Sequence, residues 1–443
     1  MIKRAAFVTK LHTVGRSSLA TSRDLRAGEA LDPQRLAELT DRRTAEHARF
    51  AMRHSRFYRD LYTAAGLTDR DLDDPAVVGA LPFVDKALVR DHFAEITSDE
   101  ATPSNSSVSS TGGSTGTPLR LLRDDRFPAR ALEWRLFEWW GVNPWDDRAI
   151  ITRHMLSGRA KLRHDLQWLP SRRVQLDAFA ISDESVTRFA AQWRRRRPTF
   201  LVGYAGGVLD VARRLDRLGL QLPVPDAIAV TAAPLTPGVR EEIENVFGAP
   251  VYDHYRAAEV PWIAGECAER AGMHVFADVR RVEILDDDDV PVAPGVEGNV
   301  VVTDLTNKVF PLIRYRLGDL SSIVPEPCAC GRALPRLGAI SGRRSDAVRL
   351  PDGTTIAGAL GHVFDHAPLA VRQFEIVQDH DYSVTLRYVP GPGAAQTEAI
   401  EDAHRTLRTA TRGLVPVRLE AVDHIEQTGG KMRFIRSDAP TSP

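Results

Sequence analysis

The chain has 443 residues, 43% of them hydrophobic and 26% charged, with a formal net charge of −1 at pH 7. That length exceeds one ordinary core and predicts two or more domains, and the composition is globular rather than disordered or fibrous. Near-neutral charge gives no global attraction to nucleic acid or anionic membrane, no apolar run reaches the length of a membrane span, and three cysteines are too few for a disulfide framework.

The amino terminus, Met1-Ile2-Lys3-Arg4-Ala5-Ala6, has no signal-peptide core, so a cytoplasmic location is expected. Residues 33–66 read as one helix ending at Gly66, with apolar contacts at Phe50, Met52, Phe57, Tyr58 and Leu61. Residues 81–91 read as a linker entering a short helix. Residues 106–117 then hold eight hydroxyl side chains and three glycines, a composition no packed helix or strand favours. Within it lie Ser109, Ser110, Thr111, Gly112, Gly113, Ser114, Thr115 and Gly116. Two readings fit: a loop that wraps phosphates with backbone N–H groups and hydroxyls, or a flexible Gly/Ser linker. It is not a Walker P-loop, because the spacing fails and no lysine follows the last glycine. A strand at 119–122 and a helix carrying Trp134, Phe137, Trp139 and Trp140 come next.

Strands at 149–152, 200–203, 227–231 and 251–255 then alternate with helices at 182–196, 207–218 and 237–247, which argues for parallel α/β layers. The Arg194–Arg197 run before Pro198 reads as a solvated helix C-terminus. Residues 279–285, 298–304 and 321–324 are β-rich. The acidic run at 286–289 lacks the alternating ligand spacing of a calcium loop and reads as a hairpin turn. From Arg344 onward the pattern is that of a small separate domain: strands at 374–377, 383–389 and 417–421, a helix at 397–411, and a glycine-rich loop at Thr428-Gly429-Gly430. The expected fold class is therefore α/β. A large multi-layer N-terminal domain (1–343) has mostly parallel sheets and a β-rich part, and a small α+β C-terminal domain spans 344–443.

All three cysteines, Cys267, Cys328 and Cys330, join His274 as a candidate metal set. Thiolates plus imidazole suit Zn²⁺ in a closed tetrahedral site, whereas the alternative is three small buried hydrophobes and a loop histidine.

Seven segments, taken together, resemble one family. They are 47–67 (HARFAMRHSRFYRDLYTAAGL), 81–91 (LPFVDKALVRD), the Ser/Thr/Gly loop, 255–259 (YRAAE), 311–319 (PLIRYRLGD), Gly342-Arg343 and Gly429-Gly430-Lys431. In order and spacing the chain resembles the adenylate-forming (acyl-AMP) ligase superfamily, specifically the phenylacetate–CoA ligase branch and its capsule-biosynthesis-type relatives. The resemblance implies ATP-dependent activation of a carboxylic acid, with an aromatic acid favoured. Transfer to CoA follows, with release of AMP and pyrophosphate. A non-CoA acceptor (amine, hydroxyl or carrier thiol) is the alternative.

By resemblance, Ser109 to Gly116 surround the phosphates, and Lys431 bridges the substrate carboxylate and the α-phosphate. Glu259 holds Mg²⁺, Asp319 accepts the ribose hydroxyls, and Tyr255 and Asp253 lie at adenine. Arg343 reaches ribose or phosphate at the domain junction. The acyl pocket would draw on Trp139, Tyr204, Ala205, Gly206 and Ala232. Members of this branch carry zinc in the region of the cysteine set, which favours the Zn²⁺ reading in a structural role. Homodimerisation is a habit of the family. The sequence departs from the pattern at Arg256 (usually Gly), Ala258 (usually Ser or Thr) and Ser345 (often an acid). The first two departures leave open a catalytically weak nucleotide-binding relict.

Overall fold

In a computed structural model the described residues are 2–14, 16–110, 119–152, 155–343, 347–352, 354–356, 360, 363–364, 367, 370–391, 396–425 and 434–440. The chain forms two compact units, one of residues 141–253 with 339–443 and the other of residues 2–140 with 254–338. Among the described residues, no helix is long and apolar enough to cross a membrane.

The first unit is built on parallel strands in the order Arg173–Asp177, Arg148–Thr152, Phe200–Tyr204, Ala227–Thr231 and Val251–Tyr255. Ala227–Thr231 is buried at every position, as expected of a central strand covered on both faces. Two of its helices start and stop where their sequence says. Ser182 caps Asp183–Arg196 through a capping box with Ser185, and Arg197 ends that helix in the left-handed region. Thr236 caps Pro237–Phe247, with proline in the first turn and Gly248 closing it at φ 69°. Val186, Phe189, Ala190 and Trp193 of the first helix join the strand residues in one apolar core.

The C-terminal part of this unit has its own core around Phe374, Ile376, Leu386 and Leu407. Its sheet runs Val417–Ala421, Val384–Pro390, Val371–Gln378, Ile435–Ser437, with an antiparallel central pair and parallel outer pairs. Helix Gln396–Ala410 buries Ala399, Ile400, Ala403 and Leu407, one stripe at helical spacing. The α/β class with a smaller α+β C-terminal part is thus the observed architecture.

The second unit opens with helices Ile2–Val14, Arg16–Glu29, Pro33–His54 and Arg56–Ala64. The single helix expected over 33–66 is interrupted at Ser55. This residue is extended and buried; its hydroxyl accepts from Tyr58 N and donates to the Glu95 carbonyl at 2.8 Å. Ser106–Ser110 is a strand paired with Arg120–Asp124, so the hydroxyl-rich stretch begins as half of a hairpin rather than as a loop. Strands Arg280–Leu285, Gly298–Asp304 and Tyr315–Ser321 form an antiparallel meander. The acidic run between the first two is a turn in which Asp286 accepts from the N–H groups of Asp288 and Val290.

Strand–helix packing in the parallel layer is tight at Gly203. A Cβ there would meet Val208 Cγ2 at 2.8 Å and Ile151 Cβ at 3.0 Å. Both neighbours are β-branched and have few alternative rotamers. Gly203→Ala is expected to destabilise the protein by about 1–3 kcal/mol. Urea unfolding measures this, and an unchanged midpoint contradicts the close approach.

Candidate active site

Strand Val251–Tyr255 ends against Ala264–Glu266, with Tyr255 opposite Ala264. Its last residue donates the Tyr255 hydroxyl to Asp319 Oδ2 at 2.6 Å, and both side chains are buried. Asp319 follows Gly318, which takes φ 79°, a left-handed conformation that glycine adopts without strain. A carboxylate oriented by a phenol in a dry setting is a preorganised acceptor for hydroxyl groups.

The rest of the 311–319 segment anchors this carboxylate. The Tyr58 hydroxyl donates to the Pro311 carbonyl at 3.1 Å and accepts from Ile313 N at 3.0 Å. Arg314 donates to the carbonyls of Gly79 and Leu81 and pairs with Glu283. The Arg314 and Arg316 guanidiniums lie 3.9 and 4.1 Å from the Phe83 ring centre. Val84 N donates to the Arg314 carbonyl and Arg316 N to the Val84 carbonyl, so segments 81–91 and 311–319 are paired directly.

A second group lies on the turn after Tyr255. The Arg123 guanidinium donates to Ser109 Oγ at 3.1 Å and to the Ala258 carbonyl at 3.2 Å. It thereby ties the hydroxyl-rich strand to the turn carrying Arg256 and Glu259. Arg256 lies 4.7 Å from the ring centre of Trp262, which is stacked on His254. The turn is held from below by Arg280, fully buried, which donates to the Pro261 carbonyl at 2.8 Å and pairs with Asp304 at 2.7 Å. Asp304 also accepts from the backbone N–H and hydroxyl of Thr306.

Cys267, His274, Cys328 and Cys330 form one cluster whose ligand atoms all lie within 4.8 Å of one another. The sulfurs of Cys267 and Cys328 are 3.7 Å apart, too far for a disulfide. His274 Nε2 lies 3.3 Å from Cys330 Sγ, while its Nδ1 lies 3.2 Å from the Leu334 carbonyl. Donation from Nδ1 to that carbonyl leaves Nε2 as a lone-pair donor toward the sulfurs. Burial lowers the His274 pKa to about 4, so the ring is neutral and fit to ligate. Burial pushes the Cys267 thiol up to about 12. For Cys330 burial acts the same way, but donors from Arg332 and the neighbouring thiols outweigh it and lower the pKa. Arg332 is held in turn by Glu29, whose carboxylate also accepts from Trp139 Nε1 and pairs with Arg135. This set of four can hold a tetrahedral metal ion.

Other expected site residues fall as follows. Tyr204 and Thr231 are paired at the carboxyl ends of adjacent parallel strands, and Val230 pairs with Asp253 on the next. Ala205 and Gly206 begin the helix after Tyr204, and Ala232 takes φ 71° just beyond its strand. The carboxyl ends of parallel strands are where open α/β sheets bind ligands. Trp139 is buried 5.6 Å from His274, centre to centre, in the unit that holds the cysteine cluster. Arg343 lies in the short strand Gly342–Arg343. Thr111, Gly112, Gly113, Ser114, Thr115, Gly116 and Lys431 lie outside the described residues, as do the side chains of Ser110 and Arg343. Sequence reasoning missed Arg123 and Glu29. Arg123 had one usable signal, its place two residues along the partner strand from the position opposite Ser109.

No protein-family profile matches the chain. A segment of 119 residues is 36% identical to a phenylacetate-coenzyme A ligase of Thermus thermophilus, covering 26% of this chain and 27% of that protein. Protein CapK of Staphylococcus aureus is 22% identical over 413 residues, 90% of this chain and 88% of the relative. Among solved structures, a 2-hydroxyisobutyryl-CoA ligase in the postadenylation state, in complex with R3-HIB-AMP, superposes with a TM-score of 0.74 at 21% identity. That match covers 93% of this chain and 91% of the ligase. The fold is that of the adenylate-forming enzymes. The chain spans about a quarter of the length of the first phenylacetate-coenzyme A ligases it matches.

Asp304 is the carboxylate partner of a guanidinium with no solvent access. Asp304→Asn is expected to cost about 3–5 kcal/mol of folding stability, because the charge of Arg280 stays buried without compensation. A chemical denaturation series reads this, and a loss below about 1 kcal/mol contradicts it.

Proposed function

We propose that the protein activates a carboxylic acid with ATP, forming an acyl-adenylate and pyrophosphate, and passes the acyl group to CoA with release of AMP. The observation that carries this reading is the buried Tyr255–Asp319 pair in the same unit as the Ser109, Arg123 and Glu259 group. One end offers a fixed acceptor for ribose hydroxyls, the other cations and donors for phosphate. The chain's similarity to named phenylacetate-coenzyme A ligases supports the same chemistry.

In this proposal a substrate carboxylate oxygen attacks the α-phosphorus and pyrophosphate leaves. Charge grows on phosphate oxygens, so donors placed beforehand lower the barrier. Ser109, Ser110, Thr111, Ser114 and Thr115, with Gly112, Gly113 and Gly116, wrap the phosphates. Tyr255 orients Asp319 for the ribose while its ring and Asp253 border adenine. Arg343 serves ribose or phosphate. Lys431 neutralises the two anions that must approach each other. Glu259 would hold Mg²⁺, which neutralises phosphate oxygens when bound. Tyr204, Ala205, Gly206, Ala232 and Trp139 are assigned to the acyl group, and an aromatic acid suits the aromatic members. Residues 344–443 are assigned as the domain that moves between the two half-reactions.

Acid-dependent exchange of pyrophosphate into ATP, run over a panel of aryl and aliphatic acids with and without CoA, tests the reading. At least one acid is expected to support exchange, and CoA to raise AMP release. Lys431→Ala is expected to cut exchange by about 100-fold or more while circular dichroism stays unchanged. Exchange with no acid at all overturns the proposal. AMP release that responds to an amine or a carrier thiol but not to CoA moves the acceptor assignment.

We also propose that the cysteine cluster holds structural Zn²⁺. A tetrahedral ion with Zn–S near 2.3 Å sets its sulfurs about 3.8 Å apart, and a Zn–N bond near 2.0 Å sets nitrogen and sulfur about 3.5 Å apart. The observed 3.7 and 3.3 Å fit this size. Four protein ligands leave no open position. Glu29→Gln, which removes the charge that holds Arg332 beside Cys330, is expected to speed chelator-driven zinc release about 10-fold. A colorimetric chelator assay follows the release, and a chain that purifies without zinc contradicts the site.

A further inference from the structure

Strand Arg173–Asp177 is the outermost of the parallel layer and, among the described residues, pairs on one side only, with Arg148–Thr152. The Arg172 carbonyl accepts from Arg148 N, and Ala178 N donates to the Thr152 carbonyl at 2.9 Å. Backbone groups alternate in direction along a strand, so the even positions face the inner strand, and Arg173, Gln175 and Asp177 direct N–H and C=O outward. An open edge of this kind is a template for another strand. The surface beside it is apolar. Of fourteen large apolar side chains exposed among the described residues, six lie between positions 155 and 179: Met155, Leu156, Leu162, Leu166, Leu169 and Phe179. Leu162 and Leu166 share one face of helix Gly158–Trp168, while His164 and Trp168, on the opposite face, reach back to Arg173. Apolar surface concentrated beside an open strand edge marks an interaction site.

We propose that the edge Arg173–Asp177 pairs antiparallel with the same strand of a second copy of this chain, joining two parallel layers across a two-fold axis at Gln175. The strand sequence, Arg-Val-Gln-Leu-Asp, is complementary to itself in that direction. Arg173 stands opposite Asp177 of the second copy, Gln175 opposite Gln175, and Asp177 opposite Arg173, and in all three pairs the outward backbone groups face each other. Opposite charges directly across a strand pair stabilise it, and like charges oppose it. A register slip that sets Arg173 against Arg173, or Asp177 against Asp177, brings like charges together, as does an in-register parallel pairing, so the charges select one geometry. Arg173 serves two neighbours at once. Stacking on Trp168, 3.7 Å from the ring centre, uses the flat face of the guanidinium and leaves the donors in its plane. Asp177 ends the strand, since its Oδ1 accepts from Phe179 N at 2.9 Å and its carbonyl from Ala180 N at 3.2 Å. Carried past that point, the same register sets Phe179, 64% exposed, beside residues 169–171 of the second copy, where Leu169 is exposed. Each copy then covers an apolar side chain of the other. The inference does not rest on the ligase reading.

Sedimentation equilibrium of the full chain over a wide range of concentration tests this, and a concentration-dependent dimer is expected. Gln175→Pro removes the outward N–H at the axis and leaves the inward bonds to Arg148–Thr152 in place, so it is expected to weaken the dimer about 10-fold or more. Asp177→Arg sets an arginine against Arg173 of the second copy and is expected to weaken it similarly. The double variant Arg173→Asp/Asp177→Arg restores opposite charges in the same register and is expected to recover the affinity to within about threefold, a rescue that a merely structural role would not give. Gln175→Cys places two thiols across the axis with Cα atoms about 5.5 Å apart, a spacing that a disulfide spans. Mild oxidation is expected to give a covalent dimer that wild type does not form. A thermal melt separates lost folding from lost association in each variant, and the cysteine variant reads the register even if a charge variant fails to fold. A wild-type chain that is monomeric at every concentration overturns the inference. So does a dimer unchanged by folded Gln175→Pro, and so does a Gln175→Cys chain that yields no covalent dimer.

Discussion

Strand Val251–Tyr255 pairs in parallel along its first three residues and antiparallel along its last two, and the site depends on that change. The parallel half is fixed by the fully buried strand beside it. The antiparallel half points Tyr255 at Asp319. Because side chains alternate along a strand, Asp253 and Tyr255 share one face, and the chain must turn immediately after to avoid carrying that face onward. The turn at 256–263 is where the charged groups gather. Its geometry is imposed at one end by strand pairing and at the other by Ile263, whose N–H bonds back to the Tyr255 carbonyl at 2.9 Å.

Irregular backbone of this kind would not hold a fixed shape by itself. Here it is held by arginines from beneath. Arg280 reaches up to the Pro261 carbonyl, Arg123 across to the Ala258 carbonyl, and Arg314 to two carbonyls of the 79–81 turn. Each of these donors takes the place of a water that the carbonyl would otherwise bind. Each buried guanidinium costs several kcal/mol to dehydrate, so Asp304 and Glu283 act mainly to keep the arginines charged in place. The outcome is a set of carbonyls and carboxylates whose positions are set before any ligand arrives, the condition under which electrostatic groups act most strongly.

The parallel layer was legible because local signals agreed with tertiary demands. Apolar runs such as Ala227–Thr231 could only be covered strands, and Ser182, Thr236 and Gly248 mark helix ends by their own chemistry. The cysteine set was legible because ligand chemistry is written in residue type, although the contact of Cys267 with Cys328 joins positions 61 apart. The break at Ser55 was not legible. Helical periodicity continues through it, and the reason to break is a hydrogen bond to the carbonyl of Glu95. Helix Gly158–Trp168 was missed for a different reason: it buries no residue, so it has no core-facing stripe to detect. Arg123 and Glu29 were hidden because an arginine or glutamate on a polar stretch reads as a solvated charge. Only the arrival of Ala258 beside one and Arg332 beside the other gives them a role.

The cysteine cluster and the arginine-held turn are therefore two solutions to one problem, holding loops to a sheet. Cys267, His274 and the segment 328–336 lie on the antiparallel continuation of the strand that carries Tyr255, through pairings Ala264–Val275 and His274–Arg336. Those pairings are two or three residues long, too short to fix their own register by hydrogen bonding. In the proposed zinc site, one ion joining four side chains supplies the missing restraint. Glu29 extends it, because its single carboxylate contacts Arg332, Trp139 and Arg135, and so links helix Arg16–Glu29 to the cluster. Loss of register there would shift Ala264 against Tyr255, and with it the hydroxyl that orients Asp319. Under the proposed function, the cluster would thus govern nucleotide binding without touching the nucleotide, through strand register alone.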